Sequence, residues 1–300
     1  MKHMKHMKHM KDMKDLKDLP LVSVIVPCYN HQDFVGEAIN SILKQTYPNI
    51  ELIVLDDGST DNSPAILAGL AEKQGFYYER QQNMGMSSTL NKGLLLAKGR
   101  YVCPFSSDDV MFPDRIEKQV ALLESRPDVA VCAGNIIRIC ETGEIMSRQK
   151  IRPAREVDFD DIFWRNIPVP AAPTVMIRSS ILDEVGHYDP DIGIEDWYMW
   201  LKITHAGHKI HILNDLLAYY RHHADNVHAN YRFMLENELK IIDLYASHPR
   251  YKEVRKRSLV RMFVKTANRD KGFAKELLSQ IAFFDAPLKV SKGMVRLVSG

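Results

Sequence analysis

Three pairs of adjacent carboxylates stand out in the chain: Asp56-Asp57, Asp108-Asp109 and Glu195-Asp196. Neighbouring carboxylates repel, so each pair needs a cation, a set of strong donors or a raised pKa to balance it. A hard divalent cation such as Mg²⁺ or Mn²⁺ takes carboxylate oxygens and keeps positions open for phosphates, so one pair could hold a metal and another the rest of a nucleotide. Capping of the following helix is the competing role for any single Asp. The glycine-based phosphate cradles are missing from the sequence. Neither G-x-x-x-x-G-K-[ST] nor G-x-G-x-x-G follows the first predicted strand, which excludes a P-loop or dinucleotide site.

The elements that must position these acids follow from the apolar pattern. Val22 to Val26 reads as a buried strand stopped by Pro27, and Phe34 to Gln45 as an amphipathic helix. Glu51 to Leu55 is a second strand running into the turn Asp56-Asp57-Gly58-Ser59. Ser63-Pro64 then opens a helix to about Lys73. A third strand over Phe76 to Arg80, a helix over Ser88 to Lys98 stopped at Gly99, and a fourth strand over Tyr101 to Phe105 complete the alternation. That order predicts βαβ units and a mostly parallel sheet. Ligands of open α/β sheets sit beyond the carboxyl ends of the strands, so Pro27 to Asn30, Asp56 to Ser59 and Ser106 to Asp109 should line one crevice.

Further on, Pro113 to Ser125 reads as a helix, Val129 to Ile139 as an apolar stretch and Ile167 to Pro173 as a proline-rich loop. Val175 to Arg178 and Ser179 to Val185 give a strand and a helix. Glu195 to Ala206 is a helix with one buried face, and the chain from Ala229 is helical in period and basic. The expected organisation is a low-complexity leader at 1–19, a catalytic domain at 20–226 and a helical C-terminal region at 227–300.

Composition narrows the function classes. In 300 residues, 40 Lys and Arg face 38 Asp and Glu for a net charge of +2, too even to advertise a nucleic-acid partner. The MKH and MKD repeats of the leader carry six Lys and three Asp; without them the balance is 34 basic against 35 acidic residues. No apolar run reaches the roughly 20 residues of a spanning helix. Cys28, Cys103, Cys132 and Cys140 have no C-x-x-C spacing, which points to buried reduced thiols in a cytoplasmic protein.

Taken together, Ser23-Val24-Ile25-Val26-Pro27-Cys28-Tyr29-Asn30, Asp56-Asp57-Gly58-Ser59-Thr60-Asp61, Asn83-Met84-Gly85 with Asn91-Lys92-Gly93, Ala97-Lys98-Gly99, Ser107-Asp108-Asp109 with Pro113, Glu195-Asp196-Trp197 and Tyr220-Arg221-His222-His223 resemble the family 2 glycosyltransferases. The resemblance covers Leu21 to Asn226. It implies an α/β GT-A fold, with a Rossmann-like nucleotide-binding half and a mixed central sheet flanked by helices, followed here by a helical C-terminal extension. It also implies inverting transfer from a nucleotide sugar. By the same resemblance Pro27, Tyr29 and Asn30 border the base and ribose, with packing the other role for Tyr29, and Asp57 accepts from the base, most readily uracil N3–H. Asn83, Asn91 and Ser107 belong to the nucleotide-binding set. Asp108 is the metal ligand, for Mn²⁺ or Mg²⁺, since the first Asp of the family's D-x-D is Ser106 here. Asp109 supports the metal site from behind or caps the Pro113 helix.

Asp196 matches the family's catalytic base, and Glu195 caps the same helix. His223 is the third metal ligand or a diphosphate donor, with a satisfied surface histidine as the competing role and His222 beside it, and Arg221 pairs with phosphate or forms a structural ion pair. The Gln-x-x-Arg-Trp pattern of processive synthases is missing, which favours one sugar per binding event. The resemblance thus implies transfer to a glycan or lipid-linked saccharide of a surface polysaccharide, at the inner face of the cell membrane. Three roles are open to the basic tail: peripheral contact with anionic lipid, a solvated helix face or a dimer contact. The readings to set against it are a scaffolding module that has lost catalysis, for which Ser106 argues, and a nucleotidyltransferase, for which Asn30-His31-Gln32-Asp33 lacks the basic residues.

Overall fold

The computed structural model describes residues 19–146, 151–165, 168–223, 230–281 and 287–299. The predicted leader lies outside them, apart from Leu19. Two compact units form: one from residues 1–158, 170–187 and 203–222, the other from 159–169, 188–202 and 223–300.

The first unit is built on a nine-stranded sheet. Its strands are β1 (Val22–Cys28), β2 (Ile50–Asp56), β3 (Tyr77–Arg80), β4 (Tyr101–Pro104), β5 (Val110–Met111), β6 (Val129–Cys140), β7 (Arg155–Val157), β8 (Met176–Arg178) and β9 (Lys209–His222). They lie in the order β3-β2-β1-β4-β8-β6-β9-β5, with β7 also on β9. The β1–β2, β2–β3 and β1–β4 pairs are parallel, as the βαβ pattern requires. Beyond β4 the sheet is mixed, because β8 pairs antiparallel with both β4 and β6 while β6 and β9 run parallel. The expectation of a mostly parallel sheet therefore holds only for the half formed by β1 to β4.

Every residue of β1 is buried, the mark of a central strand covered on both faces. Pro27 does not end it: pairing with β4 stops at Ile25↔Pro104, so only the β2 side still makes a ladder there. On the faces lie α1 (Val35–Leu43), α2 (Ser63–Gln74), α3 (Met86–Leu96), α4 (Arg115–Ser125) and α6 (Ser179–Val185). α1 buries Val35, Ala38, Ile39 and Ile42 at helical spacing. α3 starts and stops two residues earlier than its sequence suggests, ending where Ala97 turns extended. It lies directly against β1 through Gly93, where a Cβ would come within 2.3 Å of Ile25 Cγ2. The main core joins Val24, Val26, Ile39, Leu67, Tyr101, Phe105 and Ile116.

Three of the four thiols are buried as expected. Cys140, at the end of β6, is partly exposed.

The second unit is helical: α5 (Phe159–Trp164), the Glu195–Lys202 part of α7 (Glu195–His205), α8 (Tyr231–Asp243), α9 (Tyr251–Thr266), α10 (Lys271–Leu278) and α11 (Pro287–Ser299). Asn230 and Asp270 cap α8 and α10 by accepting the N–H groups of Phe233 and Phe273. Leu235, Val260, Phe263, Phe273, Leu277 and Val290 form its core. Among the described residues no helix is long and apolar enough to cross a membrane.

Candidate functional site

The register of β1 on β2 places Cys28 opposite Asp56, so the loops that follow the two strands leave the sheet side by side. Asn30 takes a left-handed backbone, φ 55°, which asparagine tolerates. Its N–H donates to Ser59 Oγ at 2.9 Å, and its side-chain oxygen accepts from Thr60 N at 2.8 Å. The turn aims His31 at the third loop, where its Nδ1 meets the buried Ser107 Oγ at 2.7 Å. Three strand ends predicted to line one crevice are thereby tied together. Tyr29 stands on this rim, 47% exposed, while Pro27 is buried within β1.

Each acidic pair is balanced by a different means. Asp57 is buried, and a donor set neutralises it: Oδ1 accepts from Gln81 Nε2 and Met84 N, each at 2.8 Å, and Oδ2 from Gly85 N at 2.9 Å. A carboxylate oxygen accepts two hydrogen bonds, so Oδ2 keeps one position for a further donor. Asp56 is fully buried; Ser59 N bonds its Oδ1 at 2.9 Å, and Arg80 supplies charge at 3.7 Å. Gly58, with φ 80°, lies against Asn83, whose backbone nitrogen a Cβ there would approach to 2.7 Å. This packs the Asp56–Ser59 turn onto the Asn83-Met84-Gly85 loop. Asn91 sits on the second turn of α3, half-buried.

At the second pair, burial and then the neighbouring Asp108 charge hold the Asp109 carboxyl well above the usual carboxylate range. Arg221 N donates to its Oδ1 at 2.8 Å, and Oδ2 accepts no hydrogen bond among the described residues. Asp109 caps no helix, because α4 begins at Arg115 behind Asp114. Arg221 is itself buried. Its Nε donates to the Asp108 carbonyl at 2.8 Å, Nη1 to the carbonyls of Cys140 and Glu141, and Nη2 pairs with Glu37 at 2.5 Å. Arg221 is thus in an ion pair with Glu37.

Alternation along β9 sends Arg221 to one side and Tyr220 and His222 to the other, where the two rings lie 4.9 Å apart. His223 is peptide-bonded to the end of β9, so the strand carries it. One ligand atom each from His31, Asp108 and His223 lies within 4.8 Å of the others. Two imidazoles and a carboxylate suit a transition metal such as Mn²⁺ better than Mg²⁺. The hydrogen bond between His31 Nδ1 and Ser107 Oγ is of the kind that orients metal-binding histidines. Sequence reasoning assigned no role to His31; its place next to Asn30 at a strand end was the available signal.

The third pair lies in the second unit. Burial, then the charge of Asp196, pushes the Glu195 carboxyl up to about 8. Burial also raises Asp196, against the Trp197 N–H that its Oδ1 accepts and the nearby Arg165 charge. Arg165 stacks on the Trp197 ring at 3.7 Å and pairs with the buried Glu238 at 3.0 Å. An acid pair kept proton-hungry at the start of a helix can serve as a general base.

A family model described as glycosyl transferase family 2 matches residues 23–186, and the chain belongs to that family. It is 30% identical over 233 residues, 76% of this chain and 89% of the relative, to the Escherichia coli UDP-Glc:alpha-D-GlcNAc-diphosphoundecaprenol beta-1,3-glucosyltransferase WfaP. The chain spans only 35% of the length of an uncharacterized glycosyltransferase of Rickettsia felis with which it shares 31% identity over 212 residues. Among solved structures, S. aureus TarS 1-349 in complex with UDP-GlcNAc superposes with a TM-score of 0.66 at 19% identity, covering 93% of this chain and 88% of the TarS 1-349 chain. The mannosyltransferase PcManGT of Pyrobaculum calidifontis, in complex with GDP-Man and Mn2+, gives 0.61 at 17% identity, covering 98% and 87%. The fold is GT-A.

Proposed function

We propose that the protein transfers one sugar, with inversion, from a nucleoside-diphosphate sugar to a hydroxyl of a glycan or lipid-linked saccharide. The observation that carries this reading is the convergence of His31, Asp108 and His223 beside the loops of Asn30 and Asp57 in a family 2 glycosyltransferase. The donor is a UDP-sugar: WfaP is named for UDP-Glc, and TarS binds UDP-GlcNAc and UDP. WfaP is also named for a diphosphoundecaprenol-linked acceptor, which supports a lipid-linked saccharide and work at the inner face of the cell membrane. Peripheral contact with anionic lipid belongs to the same reading.

In the proposed mechanism Asp57 keeps its free Oδ2 position for the base N–H, with Pro27, Tyr29 and Asn30 as the wall beside it and Asn83, Asn91 and Ser107 in the surrounding loops. Asp108, His31 and His223 would hold the divalent ion. That group would supply positive charge to balance the departing nucleoside diphosphate. Asp196 takes the proton of the acceptor hydroxyl as its oxygen attacks the anomeric carbon. Burial and the Asp196 charge raise the Glu195 carboxyl beside it, so the two acids titrate as a pair. Arg221 and Asp109 fix the backbone of Asp108.

A panel of nucleotide sugars, read by diphosphate release with Mn²⁺ and again in EDTA, tests the proposal. Metal-dependent turnover of one donor is expected. Equal rates in EDTA would remove the metal, and no turnover with any donor, together with no nucleotide binding, would favour the scaffolding reading.

A further inference from the structure

A cleft of about 830 Å³ lies in the second unit, and none of the residues assigned above to donor, metal or base lines it. Its walls carry Lys252, Lys256, Arg257 and Arg261 from α9 and Lys289 and Lys292 from α11, with Glu253 the one acid among the lining residues. Arg165 lines it too, but Arg165 and Arg261 are both spent on Glu238, whose carboxylate they hold down against the upward push of burial. Arg257 lies 4.1 Å over the Trp164 ring. Among the described residues Lys252, Lys289 and Lys292 make no ion pair. Like charges gathered in one concavity repel each other and draw phosphate.

The wall helix α11 has three distinct faces. Its inner face is set by Val290 in the core and by Gly293, where a Cβ would come within 2.3 Å of Phe263 Cε1. Its lysines border the cleft. Its outer face presents Leu288 at 87%, Val295 at 65% and Val298 at 86% exposure, one helical stripe of unshielded hydrocarbon beside the cations. Water-exposed aliphatics along a helix whose flank is cationic are the attributes of a helix that lies in a membrane interface.

We infer that this face docks on an anionic phospholipid surface, with the cleft lysines taking headgroup phosphates and the outer stripe of α11 entering the acyl boundary. Charge complementarity selects the occupant: a second copy of this chain would bring the same cations against each other. The inference gives a place and a geometry to the membrane contact proposed above, and it needs no step of the transfer chemistry.

Co-sedimentation of the full chain with vesicles tests it. Phosphatidylcholine vesicles containing phosphatidylglycerol should bind the protein at least tenfold better than pure phosphatidylcholine, and raised salt should weaken that binding. Joint Lys252→Glu, Lys289→Glu and Lys292→Glu substitution should abolish the preference. Joint Leu288→Asp and Val298→Asp, at positions too exposed to disturb the fold, should lower binding to the anionic vesicles severalfold. Equal binding to neutral vesicles, an unaffected charge variant, or release by soluble pyrophosphate at unchanged ionic strength would overturn the inference, the last by making the cleft a site for a soluble phosphate. Self-association of the wild type that is lost in the aspartate variant would overturn it in favour of a dimer face. Nucleotide-sugar hydrolysis in lipid-free solution, expected to be unchanged in both variants, reads the transferase proposal separately.

Discussion

Arg221 and Asp109, 112 residues apart in sequence, meet through the backbone N–H of the arginine and Oδ1 of the aspartate at 2.8 Å. The same arginine donates from Nε to the carbonyl of Asp108, so the end of β9 fixes the acidic loop.

Replacing Arg221 by Lys keeps the charge but not the fork that reaches the Asp108, Cys140 and Glu141 carbonyls and Glu37 together. Unmaking buried charged hydrogen bonds costs about 2–3 kcal/mol, so urea denaturation should show a loss of that order. Mn²⁺ affinity should fall with it; a variant as stable as the parent with the same metal affinity would show the clamp to be idle.

Mn²⁺ binding followed by electron paramagnetic resonance should give one site in the parent protein. His31→Ala and His223→Ala should each weaken it by on the order of tenfold or more, and Asp108→Ala should remove it together with sugar transfer. Circular dichroism should be unchanged in all three. If Asp108→Ala binds the ion normally, the ligand set is wrong.

Asp196→Asn removes a base while keeping the shape. Turnover should drop by roughly 10²-fold or more with donor affinity little altered, since general base catalysis is commonly of that size. The opposite split, in which donor affinity falls and turnover holds, would assign Asp196 to binding.

Glu195 yields a pH prediction whose sign is fixed by its raised pKa. The folded carboxyl titrates at about 8, against about 4.3 for an unperturbed Glu. The fold favours the protonated form, so the stabilisation is fully present below about pH 4 and is lost as pH rises through about 8. Glu195→Gln, permanently neutral, should flatten the fall of Tm between those limits; an unchanged profile would place the titrating group elsewhere.

Asp57→Asn puts an amide where Oδ1 or Oδ2 now accepts, so either Gly85 alone or both Gln81 and Met84 face a donor instead of an acceptor. A cost of about 1–3 kcal/mol is expected, with weaker UDP binding by calorimetry. Unaltered stability and UDP affinity would leave Asp57 without either role.

The nucleotide-binding half was legible because β1, β2 and β4 are buried, so that their apolar runs stand out between turn residues. β9 was not read as a strand: in Lys209–His222 charged and polar residues interrupt the apolar ones, and its pairing with β6 shifts register three times, which breaks any period of two. Pro27 misled because the cost of a proline depends on which neighbouring strand still needs its N–H, a fact of the sheet and not of the sequence. At the site, the acidic pairs announced a need for compensation. Which remedy each would find was set by distant partners such as Gln81 for Asp57 and Arg221 for Asp109, and His31 gained its orientation from a left-handed residue before it.

The thiols divide along the same lines. Burial lifts Cys28, Cys103 and Cys132 to about 11, 11 and 12, while a hydrogen bond from Thr142 lowers Cys140, which stands partly in solvent at the end of β6. An alkylating fluorophore applied to the native protein will therefore mark one position, whose carbonyl already receives the Arg221 guanidinium. The chain carries its own reporter site next to the acidic loop, and changes around that loop can be followed there by light emission without engineering a cysteine.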